Sequence, residues 1–252
     1  MYDEISYGEF AYVYDLLTDD VEYSKRTNYV DKLIKKHFDK QGETLLCDLG
    51  CGTGTVCSLL NSYGYDCIGI DNSESMLNVA STKNTDGKIL FLKQDICDFE
   101  LYGTVDVFIS LLDTLNYITE PDKLKRVFEL VCNYLNYGGV FIFDINTPFK
   151  FENVLSNNTF AYESDNIFYT WENFYEDGML DFYLNFFVED KDNRYRRFTE
   201  HHSQFCYTED MIKKIAEESG LIFQAQYGDM SFSSPSEREE RMFFVFKKPA
   251  LD

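Results

Sequence analysis

The stretch Leu45-Leu46-Cys47-Asp48-Leu49-Gly50-Cys51-Gly52-Thr53-Gly54 restricts the possible folds more than any other part of the chain. A short apolar run that ends in three alternating glycines, with a helical pattern following to about Tyr63, reads as strand, bare-backbone turn and helix. Glycine permits the left-handed turn and leaves no Cβ between backbone and ligand, while the N–H groups of the following helix point outward unsatisfied. At the end of a parallel strand such a turn lies where doubly wound sheets bind nucleotide-like molecules.

The alternation continues along the chain. Glu22–Lys40 shows helical spacing of Val30, Leu33, Ile34 and Phe38. Asp66–Ile70, Lys88–Lys93, Val105–Leu112 and Val140–Ile145 read as further strands. Ser73 is expected to cap the helix that carries Met76, Leu77 and Ala80. Thr119 is expected to cap a long helix that runs to Gly138-Gly139. About a dozen residues separate the third and fourth strands, too few for much crossover helix. From Asn146 to about Tyr207 three aromatic-rich runs (168–175, 180–189 and 195–204) are divided by Asp177-Gly178 and Asp192-Asn193, both hairpin signals. Thr208 then caps a helix through Met211, Ile212, Ile215 and Ala216. The runs 221–227 and 241–246 pair at the sheet edge. The expected architecture is α/β: a Rossmann-like, doubly wound, mostly parallel seven-stranded sheet with an antiparallel insertion after strand five. Residues 1–145 and 207–252 form the main domain and 146–206 the inserted meander.

Charge narrows the partners. The 252 residues carry 44 acidic against 23 Lys and Arg side chains, a formal charge of −21. A nucleic-acid binder needs a basic footprint, and an anionic membrane surface repels this chain. No uninterrupted apolar run reaches spanning length, and Met1-Tyr2-Asp3-Glu4 does not open a secretory signal. Seven scattered cysteines lack the paired spacing of a zinc site. These features predict a cytoplasmic protein with reduced, buried thiols and no metal.

Asp48 separates ligands that the glycines alone do not. A carboxylate two residues before the first glycine repels a pyrophosphate and welcomes a cationic amine. S-adenosyl-L-methionine carries an ammonium and a sulfonium and no phosphate. Asp71, at the tip of the second strand, is placed to accept ribose hydroxyls. Asp95, at the tip of the third, is placed to accept from an adenine amino group beside Ile96. A carboxylate at each tip also suits a plain helix cap, and NAD enzymes share the second acid.

Asp48–Gly54, Ile70-Asp71-Asn72-Ser73 and Asp95-Ile96 resemble the class I S-adenosylmethionine-dependent methyltransferases. The flanks Phe10–Asp15 and Phe141–Asn146 are similar to a bacterial small-molecule subgroup with an antiparallel insertion. The resemblance implies that Asp48, Gly50 and Gly52 hold the methionine end and Asp71 with Asn72 the ribose. It places Asp95 and Ile96 at the adenine, Leu111 beneath the sulfonium and Tyr14 over the cofactor. The implied reaction is in-line displacement at the methyl carbon, in which the protein chiefly positions and desolvates the acceptor. His202 is favoured by the resemblance as a base for a protonated acceptor, and Asp113 is a second candidate. His201 and His202 are strand neighbours, so at most one faces the site. His37 lies on the polar side of the first helix.

The acceptor is expected to be a small molecule, with an amine suited to an acidic protein with aromatic walls. Tyr169, Trp171, Phe174, Tyr183 and Phe186 serve equally as a sheet core. Two alternatives remain at this stage: an NAD-dependent dehydrogenase, which Asp48 disfavours, and a silent cofactor-binding module.

Overall fold

The computed structural model describes residues 11, 14, 21–39, 42–164 and 166–250. Of the Phe10–Asp15 stretch only Ala11 and Tyr14 are among them, and the rest lies outside the described residues.

Helix α1 (Tyr23–His37) precedes β1 (Thr44–Leu49), α2 (Thr55–Ser62), β2 (Tyr65–Asp71), α3 (Glu74–Lys83), β3 (Leu90–Lys93) and β4 (Val105–Ser110). A 3-10 turn, Thr114–Tyr117, leads to α4 (Pro121–Tyr134) and β5 (Leu135–Asn146). Then come β6 (Thr159–Ser164), β7 (Ile167–Glu176), β8 (Met179–Glu189) and β9 (Tyr195–Phe205). The chain closes with α5 (Glu209–Glu218), β10 (Ile222–Gly228) and β11 (Arg241–Lys247).

Seven strands form one sheet in the order β10-β11-β5-β4-β1-β2-β3, and β6 to β9 form a separate four-stranded sheet. The large sheet is parallel except for β11, which runs antiparallel to both β5 and β10. Strand β4 returns to the far side of β1, so the order reverses between them and opens a crevice at their carboxyl ends. Alternation along the strands builds two cores. Leu46, Val107, Val140, Ile142 and Phe243 pack under α1 and α2 on one face. Cys47, Phe108, Phe141, Phe143 and Phe244 pack under α4 and α5 on the other. Both faces are covered, which is why these strands are apolar throughout rather than alternating.

Local readings meet the structure unevenly. The Ser73 hydroxyl accepts from Met76 N, and the Thr208 hydroxyl from Met211 N, as helix caps. Thr119 does not cap α4. Glu120 precedes Pro121, which takes the first helical position where a missing N–H costs nothing. The α4 helix stops at Tyr134, before Gly138-Gly139, and those glycines lie inside β5. Gly138 has φ +76°, and a Cβ on Gly139 would lie 2.7 Å from the Asp106 carbonyl oxygen. The glycines therefore serve close strand contact, where the β4–β5 register shifts. The insertion holds four strands instead of three. Its first, β6, has Phe160 and Tyr162 on the face shared with Trp171 and Tyr169. Asp177 and Gly178 both have positive φ, as a tight hairpin turn requires.

Candidate active site

The carboxyl ends of β1 to β4 surround a cleft of about 1080 Å³. Tyr14, Asp48, Gly50, Gly52, Asp71, Asn72, Asp95, Ile96 and Leu111 line it, and so does His202 from the insertion. All nine positions assigned to the cofactor thus meet at one cavity.

The glycine loop is held from two sides. Gly50 N and Cys51 N donate to the Ile70 carbonyl at 2.8 and 3.0 Å. Gly50 has φ +77°, and a Cβ there would come within 2.4 Å of Thr114 Cγ2, so the turn after β4 closes directly over the loop. Gly52 differs: at φ +53° its missing side chain would project into open space. There the backbone is left bare toward the cleft, the arrangement a close-lying ligand needs.

Asp71 organises the loop as well as facing the cleft. Its Oδ2 accepts from Gly52 N at 2.8 Å and its Oδ1 from Ser73 N at 2.7 Å. Burial raises its pKa, and these backbone donors oppose the rise. Each oxygen keeps a further lone pair for a ligand hydroxyl. Replacing Asp71 with alanine is expected to weaken cofactor binding at least tenfold. Lost hydrogen bonds to a charged group are worth about 1.5–3 kcal/mol. Calorimetric titration with S-adenosylhomocysteine reads this directly, and unchanged affinity would remove Asp71 from the ribose site.

Asp48 is 3% exposed, and its Oδ2 accepts a weak bond from the Cys57 thiol, at 3.4 Å. Burial lifts its pKa to about 7, an effect that the thiol opposes and nearby Asp71 reinforces. A cationic group beside it would restore the ionised form. The donor set at the cleft therefore fits the cofactor that the sequence implies: a buried acid for an ammonium, a bare glycine turn, and two further acids at strand tips. Asp95 Oδ1 accepts from Cys97 N at 2.8 Å, which fixes it beside Ile96.

The two candidate bases part company. His202 lies between Phe182, stacked at 5.3 Å, and Tyr117, edge-on at 5.8 Å. Its side chain is 13% exposed, and burial lowers its pKa to about 4. His201 lies on the opposite face of β9, 3.2 Å from Asp181 and stacked on Tyr183. His37 bonds the Tyr227 hydroxyl at 2.9 Å and is not among the residues that line the cleft. Asp113 is not among the residues that line the cleft. Its Oδ1 accepts from Arg241 Nη2 at 2.6 Å and its Oδ2 from Gln204 Nε2 at 2.6 Å. These two bonds tie the carboxylate to β11 and to the insertion, so its direct part in the structure is to anchor the turn after β4.

The Asp113 contacts belong to a network that sequence reasoning missed. Arg241, at the start of β11, also pairs with the fully buried Asp144 of β5. Arg26 of α1 lies 4.0 Å from Asp144 and 2.8 Å from Asp229. Burial pulls the Arg241 pKa down, and its two carboxylate partners more than offset this. Leu112 and Asp113 both adopt left-handed backbone, with φ of 58° and 53°. The ion pair holds that strained step next to Leu111. No spacing or composition signal marked Arg241, because its two partners, Asp144 of β5 and Asp113 of the turn after β4, are both distant from it in the chain.

Comparison with known proteins agrees with this geometry. Residues 46–139 match the family described as a methyltransferase domain. A protein of Geobacillus sp. (strain WCH70), provisionally named a methyltransferase, is 30% identical over 97% of this chain and 100% of its own length. The crystal structure of an S-adenosylmethionine-dependent methyltransferase from Clostridium acetobutylicum ATCC 824 is 34% identical. It superposes with a TM-score of 0.88 over 97% of this chain and 99% of that one. At 18% identity, the sugar N-methyltransferase KedS8 from Streptoalloteichus sp. shares the fold, with a TM-score of 0.78 over 94% of this chain and 93% of its own. With its glycine loop, its strand-tip acids and its relatives in agreement, the chain belongs to the class I S-adenosylmethionine-dependent methyltransferases.

Proposed function

We propose that the methyl acceptor is a small molecule carrying an amine, bound between the cofactor cleft and the meander of residues 146–206. The observation that carries this reading is His202, an imidazole wedged between Phe182 and Tyr117 where the insertion meets the cleft. Aromatic walls with acidic surroundings favour a cationic or neutral acceptor over a phosphate ester. The sugar N-methyltransferase among the fold neighbours is consistent with an amine. Asp48, Gly50 and Gly52 hold the methionine end, Asp71 and Asn72 the ribose, Asp95 and Ile96 the adenine. Leu111 supports the reacting end and Tyr14 covers it.

S-adenosylmethionine supplies an activated methyl carbon, whose bond to sulfur breaks with its electrons staying on sulfur as the acceptor lone pair bonds to carbon. The chain positions the acceptor in line, excludes water with Phe182, Tyr117 and Leu111, and takes up a proton when the amine arrives charged. His202 is the group in place for that proton. Asp113 anchors the turn after β4.

Incubation with S-adenosylmethionine and a panel of small amines, alcohols and carboxylic acids tests the reading, with S-adenosylhomocysteine formation as the signal. Turnover confined to amines is expected. Turnover confined to alcohols or carboxylates would overturn the amine, and cofactor binding without turnover of any class would favour a silent module.

A further inference from the structure

The inner face of the insertion carries a polar row that methyl transfer does not explain. In the β7–β8–β9 register, Asn173, Phe182 and His202 stand across from one another, as do Trp171, Leu184 and Glu200. These two rows share one face, because they lie two residues apart on each strand. Glu200 is 4% exposed, and its buried Oε1 has no hydrogen-bond partner among the described residues. Its Oε2 lies 3.9 Å from His202 Nε2. A buried carboxylate with an unpaired oxygen is costly and rare, and it calls for a partner that carries charge at some stage of the working cycle.

We propose that Glu200 is the buried counter-charge of His202, a positioning residue that lets the imidazole at the cleft take up a proton from the acceptor. This rests on the amine reading above. The step moves one proton: an acceptor ammonium N–H transfers its hydrogen to an imidazole nitrogen of His202. The nitrogen lone pair is left on the acceptor, and the imidazolium lies against ionised Glu200. The geometry needs only a small closure, since the pair sits at 3.9 Å and such contacts tighten when a ligand fills the site.

Three elements wall the pair. Strand β8 contributes Phe182 and Leu184, β7 contributes Asn173 and Trp171, and the turn after β4 contributes Tyr117. Beyond them, His201 pairs with Asp181 on the opposite face, and Asp113 is held by Arg241 and Gln204. Burial raises Glu200 to about 7 and lowers His202 to about 4. Interacting sites titrate as a unit, so the pair holds two protons below the lower value, one between the two, and none above the upper. The upper step gives the cleft a proton acceptor matched to neutral pH, which an isolated, buried His202 is not.

With only three histidines in the chain, the test is an NMR titration of isotopically labelled histidine in the full protein saturated with S-adenosylhomocysteine. Wild type is expected to show a second inflection in the His202 resonance near neutral pH. Glu200→Gln is expected to abolish it while leaving the rest of the spectrum that of the folded protein. A His202 titration that is single-step in wild type, or identical in Glu200→Gln, would overturn the pairing. The wild-type curve decides the matter even if the variant fails to fold. Because the titration uses no acceptor, its outcome is independent of which acceptor class turns over in the panel above. If an amine does turn over, kcat in Glu200→Gln is expected to fall at least tenfold near neutral pH with unchanged KM for S-adenosylmethionine. An unchanged kcat would confine Glu200 to structure.

Discussion

Asp48→Asn is expected to weaken S-adenosylmethionine binding by about 10- to 100-fold, because a buried charged partner for an ammonium is worth roughly 1.5–3 kcal/mol. Wild-type affinity is also expected to depend on pH. Burial raises the pKa of Asp48 to about 7, so below neutral pH the free protein holds a proton that the ligand's ammonium must expel. Affinity then falls by about tenfold for each unit below that value and levels off above it. The same group acts on stability with the opposite slope. The folded chain keeps a proton that the unfolded chain releases near its ordinary carboxylate value. This contribution therefore declines as pH rises from that value to about 7, and stays flat beyond. Calorimetry between about pH 6 and about pH 8, in two buffers of different ionisation enthalpy, counts the expelled proton. Binding that is independent of pH, or an Asp48→Asn variant with wild-type affinity, would place the ammonium elsewhere.

The second large effect is expected at Arg241. Changing it to methionine leaves the fully buried Asp144 and the mostly buried Asp113 without their shared cation. Removing one partner of a buried ion pair costs about 3–5 kcal/mol, because the remaining charge stays desolvated. For a chain of this size that is a drop in melting temperature of roughly 6–20 °C. Lysine is not expected to rescue it, since a single ammonium cannot present separate N–H pairs to two carboxylates as a guanidinium does. Thermal unfolding of the two variants is the measurement. A shift below about 2 °C for Arg241→Met would mean that the network adds little.

The contrast between these two positions explains what could be read from sequence. Asp48 was legible because its meaning is local: a strand, an acid and three glycines within ten residues specify backbone, ligand polarity and place in the sheet. The succession of strands and helices followed from alternation of apolar runs, and the hairpin turns from Asp-Gly and Asp-Asn. Arg241 was illegible because it acts through Asp144, Asp113 and, at one remove, Gln204, none of which is near it in the chain. Glu200 was illegible as well, since strand spacing fixes which face a side chain takes and not whether its oxygens find partners. Thr119 and Gly138-Gly139 misled for a related reason. Their usual local roles, cap and helix stop, were overridden by Pro121 and by the close approach of β4 to β5.

The bonds between the insertion and the sheet tip mark where sequence change is tolerated. Gln204 holds Asp113, and the Asn116 side chain donates to the Phe205 carbonyl at 2.9 Å, so the last two residues of β9 are fastened to the turn after β4. The hairpin at Asp190–Arg194 lies at the other end of β9 and is tied mainly to itself. On the proposed reading, drift or directed mutagenesis at that free end has room to alter which acceptor is taken. The cofactor floor stays undisturbed as long as Gln204 and Asn116 are kept. One scaffold can in this way be retuned for new acceptors without relearning how to hold its methyl donor.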